Sequence, residues 1–294
     1  MHDAWWITYG AGAIDESLAV YDGASRLCGY LPVMRRPDGV RYLGATYHSD
    51  YATVLLDLAP GGCAASATDA IAVELLADPS PLDLRRLRPA DPAHALLIEA
   101  VQRASAAAHR PSTVGVEEPA PAIDLVGVET LDDHLERMDK KDRHEIRRKV
   151  RRGAAAGVSL RESRDLAADL PEFARLHRAR WGERGLFTAT PKGEAELAFM
   201  RALFASNPLD RVTLLFLEAP EHGTFAAGLF LRDAGAVRYW NAGGDVAARA
   251  LSPGVLLFVA GVQRAIDAKV ASFDFLRGNE PYKYECGARD VPVM

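Results

Sequence analysis

The stretch AVRYWNAGGDVAARALSPGVLLFVAGVQRAIDAKVASFDFLRGNEPYKYECG, residues 236–287, reads as a strand, a helix and a final strand-like segment. The apolar run at 236–244 predicts a strand. A helix is expected over 253–269. Pro253 suits its first turn, where the missing N–H would be unpaired anyway, and Gly254 leaves room for a bulky ligand. The free N–H groups of such a turn attract phosphates. The last segment, 273–287, sets Asp274, Arg277, Glu280, Lys283 and Glu285 among Phe273, Phe275, Tyr282 and Tyr284. It is too charged for a core strand. Because Pro281 cannot donate to a ladder, Glu280-Pro281 predicts a bend, and the chain is expected to approach a pocket there as a loop.

Reading upstream, strands are expected at 211–219 and 224–233, joined by Gly-containing turns. Helices are expected at 131–156, 170–180 and 192–205, with a strand near 158–163. Nearer the N-terminus, apolar runs at 18–23, 28–36 and 40–57 are separated by Asp-Gly turns, the pattern of hairpin-linked strands. A helix at 64–76 is stopped by Pro79 and Pro81, a strand at 82–87 follows, then a helix at 94–109. The Pro-rich segment PSTVGVEEPAPAIDL, 111–125, lacks periodicity and marks a boundary between domains at 1–115 and 124–294.

A formal charge of -5 argues against nucleic-acid binding by the bulk surface, although a local basic patch can sit inside an acidic total. Cys28, Cys63 and Cys286 are far apart and show no metal-ligand spacing. They predict neither a disulfide framework nor a zinc site, and they point to a reducing, cytoplasmic setting without a metal. The longest apolar run, 255–262, is too short to span a bilayer, so no membrane insertion is expected. YGAGAID fails as a dinucleotide fingerprint because Asp15 takes the third Gly position.

The element order resembles the Gcn5-related N-acetyltransferase (GNAT) fold. WNAGGD, LSPGVLLF and FDFLRGNEPYKYECG resemble consecutive motifs of the CelD-like (cellulose-biosynthesis type) acetyltransferases and, more distantly, of the Fem-type aminoacyl transferases. The resemblance implies a mixed α+β architecture of tandem acyl-CoA N-acyltransferase domains, the first degenerate. It also implies an acyltransferase that moves an acyl group from acyl-CoA, or a related thioester, to a small-molecule amine held between the two domains. The donor would lie at Asn241, Gly243, Ser252, Gly254 and Val255, where ARALSPGVL replaces the family's usual Gly-rich loop. Two rivals stand beside this reading: an aminoacyl-tRNA-dependent Fem-type transferase, and a degenerate copy that binds a ligand without catalysis.

Amide formation needs a deprotonated amine, a stabilised oxyanion and a protonated leaving group. Tyr282 and Lys283 supply the last two in this reading, since the Tyr-Lys pair followed by Gly287 resembles the family's terminal motif. Asp274 either orients or deprotonates the amine or is an ordinary strand acid. Glu280 contacts substrate, or pairs with Arg277 to shape the loop. In GATYHSDYA, 44–52, the residues Tyr47, His48, Asp50 and Tyr51 resemble the family's SDY element, which makes Asp50 and Tyr51 candidates for holding the acceptor.

The run DKKDRHEIRRKVRR, 139–152, has eight Lys or Arg against three acids. It is either a solvated helix face or a docking surface for an anion: CoA phosphates, an acyl carrier protein, a tRNA or a nucleotide-sugar acceptor. Arg147 and Arg148 are its candidate phosphate ligands, because a planar guanidinium binds phosphate bidentately. Trp181 and Phe187 flank GERGL, a candidate acceptor loop whose aromatics are expected to pack.

Overall fold

The computed structural model describes residues 1–44, 48–206 and 211–294. They form two compact units: residues 2–119 with 291–294, and residues 120–290 with Met1.

The N-terminal unit contains α1 (His2–Tyr9), β1 (Ile14–Asp15), β2 (Leu18–Tyr21), β3 (Leu27–Leu31), β4 (Val33–Arg36), β5 (Gly39–Tyr42), β6 (Leu55–Leu56), α2 (Ala64–Ala77), β7 (Leu82–Asp83), α3 (Pro92–Ala107) and β8 (Glu118–Pro119). These strands make a β1-β4-β5-β7 sheet and a β2-β3-β6 sheet, while β8 pairs with the chain's last strand. The run 28–36 is therefore two strands in two sheets. Pro32, which has no N–H to give a ladder, stands at the switch. Likewise 82–87 is a strand only over its first two residues, and among the described residues of 40–57 only those of β5 and β6 are in strands. Leu31, Val33, Tyr42, Ile71 and Leu97 form the core under α2 and α3.

Cys28 of β3 and Cys63 at the start of α2 are joined in a disulfide, with Cα atoms 5.5 Å apart. This corrects the expectation of unpaired cysteines and removes the ground for inferring a reducing compartment from them. Their separation of 35 residues carried no information about distance. Contact followed from α2 packing on β3, where a Cβ added to Gly29 would sit 3.0 Å from Ala67 Cβ.

His94 in α3 is buried, and its Nδ1 accepts the Arg88 backbone N–H at 2.8 Å. Burial pushes its pKa down to about 4. The unfolded chain binds a proton near the ordinary histidine pKa while the folded one resists, so stability is complete above that value and drains as pH falls toward 4. Acidification from about pH 7.5 to about pH 5 is expected to cost this unit about 2 kcal/mol through His94 alone. Urea titrations at the two pH values check this, and His94→Gln, whose carbonyl can accept the same N–H, should flatten the difference.

The second unit contains β9 (Ala122–Asp124), α4 (Leu131–Glu136), α5 (Lys140–Ala155), β10 (Ser159–Glu162), α6 (Leu166–Trp181), α7 (Pro191–Ala205), β11 (Val212–Ala219), β12 (Gly223–Arg232), β13 (Ala236–Gly244), α8 (Pro253–Asp267), β14 (Ser272–Asp274) and α9 (Pro281–Glu285); β15 (Pro292–Val293) then returns to pair with β8. The sheet order is β10-β11-β12-β13-β14-β9. Among the described residues of this sheet, only β13 and β14 run parallel. Parallel neighbours need a crossover, and α8 supplies it. Its Gly261 is forced by packing: a Cβ there would lie 2.5 Å from the Phe230 ring and 2.6 Å from Phe273. The opposite sheet face takes α6, against which Gly243 packs so tightly that a Cβ would lie 2.3 Å from His177 N. No helix among the described residues is long and apolar enough to cross a membrane.

The strand expected to begin the segment 273–287 goes no further than Asp274, and the loop expected around Glu280-Pro281 leads into a helix. Pairing stops at Asp274, the chain reverses through Leu276 and Gly278 at positive φ, and Pro281 opens the short helix α9. Proline at the first helical position fits there for the reason that excluded it from a ladder. The expected helix at 131–156 is two helices: a capping box at Thr130 and Asp133 starts α4, and α5 begins afresh after Asp139.

Candidate active site

β13 and β14 part company at one point in the sheet. Their last paired residues are Arg238 and Asp274, after which β14 ends and β13 continues to Gly244. On the other side of β13, Phe230 faces Tyr239 while Leu229 faces Asn241, so Trp240 is an inserted bulge residue. A bulge adds twist and turns a strand from its neighbour. The result is a strand edge, from Tyr239 onward, that has no strand partner on the β14 side among the described residues.

That edge is covered by side chains. Ala242 N–H donates to Asn241 Oδ1 at 2.8 Å, and Ala242 O accepts from Trp181 Nε1 at 2.9 Å. Tyr239 stacks on Phe230 with ring centroids 5.0 Å apart. Its hydroxyl is held protonated by burial, with the nearby Tyr282 adding to the shift.

At the far end of β13, a turn leads into α8. Ser252 takes the left-handed conformation, and its Oγ accepts from Arg152 of α5 at 2.6 Å. A side chain added at Gly254 would meet nothing within 4 Å, so the first turn of α8 faces open space. Arg152 has no carboxylate partner among the described residues. Val255 is half-buried against the core, and its N–H returns to Ser252 O at 3.0 Å. Of the expected donor residues, Ser252 and Gly254 thus sit at an open helix start, Asn241 caps the strand edge, and Gly243 is accounted for by its packing on α6.

Lys283 is only 2% exposed. Its Nζ donates to the carbonyls of Leu276 (3.1 Å), Arg277 (2.8 Å) and Gly278 (3.1 Å) and lies 2.9 Å from Glu280 Oε2. The ammonium therefore fixes the loop that follows β14, and Glu280 pairs with it. Asp274 is 4% exposed and buried together with both flanking phenylalanines. Its Oδ1 accepts the Leu276 N–H at 2.7 Å, and its other oxygen lies 3.6 Å from Arg238 Nε. Strand alternation thus does not deliver Asp274 to an open cleft. Tyr282, in contrast, is 47% exposed, edge-on to Phe275 at 6.0 Å.

The basic run lies mostly on α5. Arg147 pairs with Asp132 (2.8 Å) and Glu136 (3.0 Å), and Arg148 pairs with Glu145 (2.7 Å). Both expected phosphate ligands already have carboxylate partners. Lys140, Lys141 and Arg151 are exposed and make no ion pair among the described residues. With His144 and Arg148 they share one face of α5, since these positions recur at three- and four-residue spacing. Arg152 stands at the edge of that face, at the start of α8.

Asp50 and Tyr51 belong to the other unit and are half-buried in the irregular segment before β6; the Arg88 guanidinium lies 4.5 Å over the Tyr51 ring. Tyr47 falls outside the described residues. The sequence reading missed Arg152 and His177 and took Trp181 for packing alone. The signal was present in LHRARW, because His177 and Trp181 are four residues apart on one helix face.

Residues 140–284 match the family described as Acetyltransferase (GNAT) domain. Among solved structures, FemX superposes with a TM-score of 0.65 at 12% identity over 98% of this chain and 88% of that one. The C-terminal domain of a putative lysylphosphatidylglycerol synthetase from Agrobacterium fabrum gives 0.58 at 11% identity, over 95% and 82%. L-PGS from Bacillus licheniformis gives 0.57 at 10% identity, over 99% and 90%. A search of characterised protein sequences finds no significant match. With the parted β13 and β14, the crossover helix between them and the matched domain over 140–284, the chain carries the GNAT-superfamily acetyltransferase fold.

Proposed function

We propose that this chain is a Fem-type aminoacyl transferase, taking its acyl group from an aminoacyl-tRNA and passing it to an amine. The observation that carries the reading is the basic face of α5. Lys140, Lys141 and Arg151 carry no acidic partner among the described residues, and the face leads to Arg152 at the first turn of α8. From residue 140 to residue 152 it runs about 18 Å, longer than a single pyrophosphate needs and suited to successive phosphates of a nucleic-acid backbone. The whole-length likeness to FemX and to lysylphosphatidylglycerol synthetase, whose name describes attachment of a lysyl group, supports the same reading.

In this reading the acyl carbonyl lies along the edge of β13 that β14 leaves without a strand partner, beside the side chains of Asn241 and Trp181. The amine attacks it, the leaving oxygen takes a proton from Tyr282, a half-exposed residue packed edge-on to Phe275, and the proton that the nitrogen sheds as the amide forms returns to the Tyr282 oxygen. Lys283 and Asp274 act by holding the 275–280 loop that carries Tyr282 to that place. An acyl-CoA donor is the second reading, favoured by the domain match over 140–284 and by the open first turn of α8, where a phosphate would meet the Gly254 N–H.

Filter binding of a charged tRNA pool across a salt series, beside calorimetry with acetyl-CoA, tests the two. The expected result is tRNA binding whose log–log salt slope drops by about 2 in the variant Lys140→Glu/Lys141→Glu/Arg151→Glu. Saturable acetyl-CoA binding with no tRNA binding at low salt would move the reading to CoA.

A further inference from the structure

The edge of β13 that β14 leaves is closed by two side chains. In an antiparallel ladder, opposed residues either exchange both backbone bonds or point both groups away from each other. Ala242 stands opposite Gly228 of β12, yet its N–H donates to Asn241 Oδ1 at 2.8 Å and its carbonyl accepts from Trp181 Nε1 at 2.9 Å. Ala242 is therefore a residue whose backbone groups face the side without a strand, and both of them are taken.

Trp181 is 41% exposed, but its neighbours hold it in place. The Arg180 guanidinium lies 5.4 Å over its ring, and the His177 ring, one turn back on α6, is 6.2 Å away. A Cβ on Gly185 would sit 3.0 Å from the Trp181 Cβ, so the chain after the helix closes on the base of the side chain. The close approach of Gly243 to the backbone of α6 brings that helix end to the strand. A bare strand edge pairs through main-chain hydrogen bonds with an extended chain that carries amides. Among acyl donors, a pantetheine thioester is such a chain, with two secondary amides along its arm. To pair at Ala242 that arm would have to displace an indole N–H and a carboxamide oxygen, and each bond gained would be offset by one broken.

We propose that Trp181 and Asn241 set donor specificity: by filling the Ala242 carbonyl and N–H, they deny the β13 edge to a pantetheine arm and leave it to an acyl group that arrives without one. An acyl group carried on the ribose of a tRNA has no such arm. The identity of the admitted donor rests on the aminoacyl-tRNA reading; the exclusion of the arm does not.

The test uses the full chain labelled with 15N-alanine and the probe S-acetyl-pantetheine, which carries the arm without the phosphates of CoA. The Ala242 amide resonance is identified by its loss in Ala242→Gly. In the wild type, the probe at up to about 10 mM is expected to leave that resonance unmoved. In the double variant Trp181→Ala/Asn241→Ala, whose edge is bare, the resonance should move saturably, with a dissociation constant at least about tenfold below that limit. Ethyl thioacetate, which has the thioester and no arm, should move it in neither protein. The pair Trp181→Phe/Asn241→Leu, which keeps apolar side chains at both positions and frees only the two backbone groups, stands in for the alanine pair if that protein does not fold. An Ala242 resonance that moves in the wild type as it does in the variant overturns the proposal, and so does one that stays unmoved in both. Binding of charged tRNA is measured on the same wild-type samples. Its absence beside a wild-type edge that refuses the probe and a variant edge that takes it would overturn the aminoacyl-tRNA reading and leave the closed edge standing.

Discussion

Replacing Lys283 by Met is expected to lower the stability of the 120–290 unit by about 3 kcal/mol, the scale found when one member of a buried charge-paired group is removed. The side chain is almost fully buried, and its ammonium satisfies three loop carbonyls as well as Glu280. Met matches the aliphatic stem and so keeps the packing, but it leaves Leu276 O, Arg277 O and Gly278 O without their donor. Those carbonyls converge because Leu276 and Gly278 have positive φ. Positive φ is unfavourable for a leucine, and the captured ammonium offsets it. Lys283→Arg should restore little, since a planar guanidinium cannot point its donors at oxygens arranged around a single nitrogen. Urea unfolding followed by far-UV circular dichroism measures the loss. A change below about 1 kcal/mol would show that the loop holds its shape without the ammonium.

The second large effect is expected in the other unit. Cleaving the Cys28–Cys63 disulfide, by reductant or by the double substitution to Ala, should destabilise residues 2–119 by about 4 kcal/mol. A bridge spanning 35 residues removes that much chain entropy from the unfolded ensemble. Cys63 is half-buried at the start of α2, so reductant can reach it, whereas Cys28 is enclosed in β3. Because the bridge joins a strand to the first turn of the helix packed on it, the loss should show as earlier unfolding of α2. Hydrogen exchange in α2, compared with α8 as an internal reference, separates the units. Equal protection with and without reductant would mean that Cys28 and Cys63 are held by packing alone.

The helix that crosses between β13 and β14 was legible in the sequence because its signals are local: proline in the first turn, apolar spacing down one face, and the strand runs on either side. The same holds for α2, α3 and α7, whose boundaries depend on caps and prolines within a few residues. The segment 273–287 was misread because alternation of charged and apolar residues is shared by an exposed strand and by a loop whose charges are consumed internally. Which one forms depends on whether Lys283 finds carbonyl oxygens, and those oxygens belong to a backbone course that only the packed unit imposes. Arg147 and Arg148 were placed correctly on a helix, yet the Arg147 partners Asp132 and Glu136 come from α4, across a break between helices that no periodicity marked, while Arg148 pairs with Glu145 on α5 itself.

By itself, then, the sequence determined the order of helices and strands from the strand near 158 to Asp274 and the presence of a basic helix, since each is set by interactions within one or two turns of chain. The tertiary structure decided the rest. Cys28 was brought to Cys63, the Lys283 charge was turned inward, Arg152 was set at the start of α8, and Gly185 was laid over His177. Each is a contact between residues whose types are compatible with several partners, and the choice among them was made by which surfaces the sheet and its helices bury against one another.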